Sequence, residues 1–193
     1  MQPLIDHARL FGKSPEEFAR LADGQSPQVL FITCSDSRVV PALITGARPG
    51  ELFELRTAGN IVPPYPSGRP SGEAATIEYA VEVLGVQDVV VCGHSHCGAI
   101  GALVRGDDLA AVPAVRDWLA HAADRPEQRD PSDPTVSAAV QQHVLAQVLR
   151  LRTYPCVQRR LADGRLRLRA WYYEVHTGGV REHRTASDTF EAL

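Results

Sequence analysis

Two short polar segments carry the residues best able to do chemistry. Cys34-Ser35-Asp36-Ser37-Arg38 follows the apolar run Gln28 to Thr33, and Gly93-His94-Ser95-His96-Cys97-Gly98 follows Val89-Val90-Val91-Cys92. Cys34, Cys97, His94 and Asp36 together offer two thiolates, an imidazole and a carboxylate, enough donors for a tetrahedral zinc ion. Two cysteines and one histidine leave the fourth position open, as a catalytic site requires, whereas Asp36 as a fourth ligand closes it. Arg38, two residues beyond Asp36, can hold that carboxylate in a bidentate pair and keep it off the metal. The plainer readings have weight. A cysteine at a strand end is more often a small buried hydrophobe than a ligand, a loop histidine is commonly solvated, and the long spacing from Cys34 to His94 fits no standard zinc finger or ribbon. The residues alone leave a metal site and ordinary structure both open.

The remaining candidates read as structural. Cys92 lies inside a strand and Cys156 follows Pro155 at a helix end. His96 reads as a solvated loop residue at the rim of the site, with proton transfer as its sharper alternative, and His176 as a turn residue beside Thr177-Gly178-Gly179.

The elements that would position these segments follow from patterning. Ser14-Pro15-Glu16-Glu17 is a capping-box start for a helix running to about Asp23, stopped by Gly24. Gln28 to Thr33, Glu51 to Arg56 and Gln87 to Cys92 read as strands, with the Gly- and Pro-rich stretch Ala58 to Pro70 as a site-lining loop. Ser71 caps a helix whose Ile77, Ala80, Val81 and Leu84 share one face, closed by Gly85. Helices are expected over 111–123 and 135–152, an alternating strand over Leu166 to Val175, and a final short strand ending near His183. This succession predicts an α/β fold: a mostly parallel central β-sheet flanked by helices, with an antiparallel C-terminal edge strand. No repeat or long linker divides the chain, so residues 1–193 are expected to form a single domain.

Composition narrows the function. The 193 residues include 20 Lys and Arg against 23 Asp and Glu, a net charge of −3, which lacks the basic face that nucleic-acid binding demands. No apolar run approaches the ~20 residues that span a bilayer. The opening MQPLIDHARLFGK has no signal-peptide core, so a cytoplasmic location is expected, where four cysteines serve metal binding or catalysis sooner than disulfides.

The ordered motifs Cys34-Ser35-Asp36-Ser37-Arg38, Pro49-Gly50-Glu51-Leu52-Phe53, Arg56-Thr57-Ala58-Gly59-Asn60 and Gly93-His94-Ser95-His96-Cys97-Gly98 resemble those of the β-class carbonic anhydrases. The resemblance continues through Glu78-Tyr79-Ala80-Val81, Leu151-Arg152-Thr153-Tyr154-Pro155 and Trp171-Tyr172-Tyr173, and so covers nearly the whole chain. It implies one zinc per chain on Cys34, His94 and Cys97, with Asp36 and Arg38 as a catalytic dyad. It also implies the reversible hydration of carbon dioxide to bicarbonate and a proton. Gln25 stands nine residues before Cys34, as in plant-type members, and Phe53, Ala58, Tyr79 and the Gly98 amide match the family's substrate pocket, with Ala58 where Val is more usual. The resemblance places Gln25, Phe53 and Tyr79 in a partner's site. It implies a homodimer or higher oligomer, a sheet extended across the dimer, and an N-terminal helical arm, residues 1–24, embracing the partner. Allosterically inhibited members carry a Trp three residues before the first cysteine; Phe31 stands there, so the open-site subtype is expected. Two alternatives share the residues: a carbon disulfide or carbonyl sulfide hydrolase on the same fold, and a non-catalytic structural or redox zinc protein.

Overall fold

The long apolar runs become the centre of the sheet. β1 (Val29–Cys34) lies between β2 (Leu52–Thr57) and β3 (Asp88–His94), parallel to both. β1 and β3 are buried on two faces, which is why neither shows the alternation of a half-exposed strand. The computed structural model describes residues 1–11, 18–66, 68–122, 130 and 132–193. β4 (Arg167–Tyr173) adds in parallel to β3, and β5 (Val180–Arg184) and β6 (Thr189–Ala192) follow antiparallel. The order is β2-β1-β3-β4-β5-β6. The expected mostly parallel sheet with an antiparallel C-terminal edge is thus present, with one more strand at that edge than the sequence suggested.

The helices are α1 (Gln2–Leu10), α2 (Pro41–Thr45), α3 (Gly72–Glu78), α4 (Gly98–Arg105), α5 (Pro113–Leu119), α6 (Ser137–Leu151) and α7 (Pro155–Ala162). Ser71 caps α3 as expected, its Oγ accepting the Ala74 amide at 3.1 Å. Past Glu78 the helix widens into a π turn, Tyr79–Val83, with the Leu84 amide donating to the Tyr79 carbonyl. Such turns re-aim side chains and recur at functional sites. The expected helix start at Ser14 to Glu17 lies outside the described residues; the end of that segment, Arg20–Asp23, is a 3₁₀ turn closed by Gly24 at φ 113°. Cys156 sits at the start of α7, behind Pro155 at the first helical position. None of the described helices is long and apolar enough to cross a membrane.

One face of the sheet carries the main core, in which Leu30, Ile32, Val89 and Val91 meet Ile77, Ile100, Val140 and Val144 from the helices. The other face holds a smaller cluster of Phe31, Val90 and Cys92 against Trp171, with the Phe31 and Trp171 rings edge to face at 5.8 Å. α1 buries none of its residues.

α6 packs so closely on β3 that only a glycine fits at Gly93. A Cβ there would lie 2.5 Å from Val144 Cγ2 and 2.6 Å from Val140 Cγ1. Gly93→Ala should therefore destabilise the chain by about 1–3 kcal/mol through overpacking. That is roughly 2–4 °C of Tm per kcal/mol in a chain of this size. Gly72→Ala, whose new methyl meets nothing within 4 Å, is the control. Thermal unfolding of the two variants checks the difference, and equal midpoints would contradict it.

β1 sends the chain outward to β2, and β3 then returns to its other flank, so the direction of winding reverses between β1 and β3. Open α/β sheets bind their ligands beyond the carboxyl ends of the strands at such a crevice. Cys34 ends β1 and His94 ends β3.

Candidate metal centre

The parallel register setting Thr33 opposite Cys92 brings the ends of β1 and β3 side by side, reinforced by Thr33 Oγ1 donating to the Cys92 carbonyl at 2.9 Å. Cys97 caps α4 immediately beyond. The Cys34 and Cys97 sulfurs and a His94 ring nitrogen consequently lie within 4.8 Å of one another, all three residues buried. His94 is wholly inaccessible; its Nδ1 lies 2.9 Å from the Ser95 carbonyl. A carbonyl only accepts, so Nδ1 carries the proton and Nε2 keeps its lone pair. That Nε2 is buried without a hydrogen-bond partner, an arrangement that costs stability unless something electrophilic binds it.

The sulfurs are electrostatically unequal. The hydrogen bond from Cys97, helped by the Gly59 amide, pulls Cys34 well below the ordinary thiol range against the effect of burial. Cys97 is pushed well above that range by the neighbouring sulfur and by burial. The pair thus carries one negative charge readily and two only beside a cation. Two thiolates and one neutral imidazole are a donor set suited to zinc. Cys92, by contrast, is pushed up to about 12 by burial, and burial also raises Cys156; neither belongs to the cluster.

Asp36 and Arg38 form a fork. Arg38 Nε donates to Asp36 Oδ1 at 3.0 Å and its terminal nitrogen to Oδ2 at 2.7 Å, while the Arg38 backbone amide adds a bond to Oδ1 at 2.9 Å. The same guanidinium reaches the His96 carbonyl at 3.1 Å and so ties the two site loops together. These hydrogen bonds hold the Asp36 carboxyl below its usual range, leaving it an acceptor throughout working pH. Its Oδ2 stands 3.9 Å from His94 Nε2.

Two further residues shape the site, and their signal lay only in the quoted motif. Arg56 clamps the loop after β1, donating to the carbonyls of Cys34, Asp36 and Val39 at 2.7–3.2 Å. The Gly59 amide donates to Cys34 Sγ at 3.3 Å. His96 and His176 meet edge to face at 5.8 Å, a contact that sequence reasoning missed.

The residues expected to line a substrate pocket divide into two groups. Gly98 opens α4 beside the cluster, and Ala58 is exposed at the end of β2, its carbonyl accepting from Trp118 Nε1 at 2.9 Å. Phe53 and Tyr79 pair with each other, ring centroids 5.9 Å apart. Cys34 lies opposite Thr57 in the register, so Phe53, four residues back along β2, is about 13 Å down the strand from Cys34. Gln25 is exposed and stands four residues before the start of β1.

Comparison with known proteins agrees with this geometry. The sequence model of a family described as carbonic anhydrase matches residues 29–180. The chain is 48% identical over 181 residues to a carbonic anhydrase of Pseudomonas aeruginosa, covering 91% of this chain and 82% of that protein. It is 45% identical over 201 residues to one of Synechococcus elongatus, covering 97% and 74%. Among solved structures, that of the β-carbonic anhydrase CcaA superposes with a TM-score of 0.91 at 38% identity, covering 100% of this chain and 99% of that one. A tetrameric β-carbonic anhydrase of Sordaria macrospora superposes with a TM-score of 0.75 at 29% identity, covering 94% and 92%.

Proposed function

Because the chain belongs to the carbonic anhydrase family, in its β class, we propose that Cys34, His94 and Cys97 hold one zinc ion per chain and that Asp36 and Arg38 work beside it. The chain is a carbonic anhydrase, interconverting carbon dioxide and bicarbonate. One observation carries the zinc assignment: the buried His94, its Nε2 unpartnered, clusters with two buried sulfurs. When bound, zinc supplies Lewis-acid activation of water near neutral pH.

The chain's own residues do the rest. Asp36, fixed by Arg38, accepts a hydrogen bond from the reacting water and orients it. The Gly98 amide, one of the free N–H groups at the start of α4, faces the substrate oxygens and stabilises charge developing there. The Ala58 methyl, together with Phe53 and Tyr79 of a partner subunit, forms an apolar wall suited to a small uncharged substrate. Arg38 holds both Asp36 oxygens, leaving Oδ2 one acceptor site, and Phe31, at the position where the inhibited subtype has its Trp, packs on Trp171. Both features favour the open site.

We read the assembly as a homodimer or a dimer of dimers, with residues 1–24 as an arm on the partner and Gln25, Phe53 and Tyr79 completing the partner's pocket. The support is that Phe53 lies about 13 Å down β2 from Cys34, that α1 buries nothing in its own chain, and that among the described residues β2 pairs only with β1. A cytoplasmic setting suits two ligand sulfurs that must stay reduced.

Stopped-flow carbon dioxide hydration tests both levels of this reading. The zinc-loaded chain should be active, Gln25→Ala nearly inactive, and Cys97→Ser inactive. Mixed dimers of the two variants should recover about a quarter of parental activity, since half of randomly paired dimers carry one intact site of two. A fully active monomer, or no recovery on mixing, would overturn the shared pocket while leaving the hydration activity standing.

A further inference from the structure

A buried hydrogen-bond relay runs from α6 to the metal centre. Its members, His143 and Gln147, are 3% and 0% exposed and lie one helical turn apart, facing the turn that follows β2. Two polar side chains in a core are costly unless each finds a partner, and here every partner can be oriented without ambiguity. The Val62 amide can only donate, so the atom it meets at 2.9 Å is the Gln147 carbonyl oxygen, Oε1. That leaves the Gln147 NH₂ facing His143 Nδ1 at 3.4 Å. The Gly59 carbonyl can only accept, so His143 Nε2, at 2.8 Å, carries the proton. The Gly59 amide then donates to Cys34 Sγ at 3.3 Å. All four bonds point the same way, and hydrogen bonds aligned in this manner polarise one another.

The turn they hold needs holding. Gly59 has φ 73° and Asn60 φ 47°, consecutive left-handed residues of which only the glycine adopts that conformation freely. A Cβ on Gly59 would lie 3.1 Å from Ala99 Cβ, so the turn is pressed between the start of α4 and His143. Burial drives the His143 imidazole down to about 4, against the pull of the Gly59 carbonyl and the Cys34 charge, and the ring stays neutral with a single N–H to give.

Resting on the zinc reading above, we propose that His143 and Gln147 are positioning residues of the metal centre: they lock the Gly59 turn so that its amide is aimed at the Cys34 sulfur. An amide donating to a ligand thiolate withdraws electron density from it, and partners of this kind typically change metal affinity about 10- to 100-fold when removed. This is a role in tuning and orienting a ligand, apart from any contact with substrate.

The test replaces zinc by cobalt(II) in the full-length chain. It reads the sulfur-to-cobalt charge-transfer band and the affinity in competition with a chelator. His143→Leu and Gln147→Met should each move the band to lower energy and weaken affinity by about 10- to 100-fold. His143→Gln, which keeps an N–H for the Gly59 carbonyl, should retain the parental band and affinity. Val148→Ala, on the same helix and packed against the core outside the relay, should lower the unfolding midpoint and leave both metal readouts alone. Parental band and affinity in His143→Leu and Gln147→Met would overturn the proposal, as would an equal shift in Val148→Ala or no rescue by His143→Gln. If His143→Leu does not fold, Gln147→Met decides on the same readouts. A parent chain that takes up no cobalt would overturn the metal site itself and the relay's role with it, whereas a cobalt-loaded parent with indifferent variants overturns the relay alone.

Discussion

Cys34→Ser and Cys97→Ser should each give a chain that retains no zinc and hydrates carbon dioxide no faster than buffer. A neutral hydroxyl cannot replace a thiolate as a zinc donor, and with either sulfur gone the two remaining donors cannot hold a catalytic ion at working concentrations. The rate should fall by about four orders of magnitude or more, because the activation of water is lost entirely. Cys92→Ser and Cys156→Ser are the matched controls. Burial keeps both thiols protonated and both lie outside the cluster, so they should keep stoichiometric metal whatever they cost in packing. Elemental analysis alongside stopped-flow hydration separates the cases. Stoichiometric zinc surviving in both ligand variants would remove the site from its present place.

The second large effect concerns the fork beside the cluster. Arg38→Ala and Asp36→Asn should keep the metal and lose about 10²- to 10³-fold in kcat, the range typical of removing one preorganised polar group from an active site. The two fail for different reasons. Asp36→Asn keeps the shape but replaces one acceptor oxygen by a donor. Arg38→Ala releases a carboxylate whose Oδ2 already stands 3.9 Å from His94 Nε2, and the freed side chain can swing onto the metal and compete with water. Arg38→Lys should rescue poorly, since an ammonium cannot reproduce two parallel bonds to one carboxylate and a third to the His96 carbonyl. Undiminished turnover in Arg38→Ala would make the fork a structural turn and nothing more.

The parts of this molecule that were legible in the sequence are those whose cause is local. β1 and β3 announce themselves because strands buried on both faces must be apolar throughout, and the polar segments that follow them stand out by contrast. Ser71 and Gly85 mark the ends of a helix because a side-chain cap and a left-handed stop have their own residue requirements. The π turn at Tyr79–Val83 could not be read, since nothing in that stretch departs from ordinary helical patterning. α4 was hidden by Gly98 and Gly101, which make a helix read as loop; it forms because Ile100 and Val104 bury themselves in the core. That Cys34 meets His94 depends on which strands are neighbours, a fact of tertiary pairing that no local pattern carries. His143 and Gln147 could have been found: on the buried stripe of α6 they alternate with Val140, Val144 and Leu151, and polar residues on an apolar stripe demand buried partners.

His94 and Cys97 are close neighbours in the chain, whereas Cys34 reaches them only through the parallel register that sets Thr33 beside Cys92. An unfolded chain therefore brings together at most two of the three candidate ligands in one short segment. The third donor comes into range only after parallel strands far apart in sequence have paired, the entropically slowest kind of contact to close. Unlike the ion of a zinc finger, a metal bound here would meet its full ligand set only after the strands have paired. An ion bound by the folded chain deepens the native well by mass action, with the logarithm of its concentration over its dissociation constant. The cradle is thus shaped before any ion is chosen. The choice among divalent ions falls to donor softness and geometry, and not to whichever ion first meets the nascent chain.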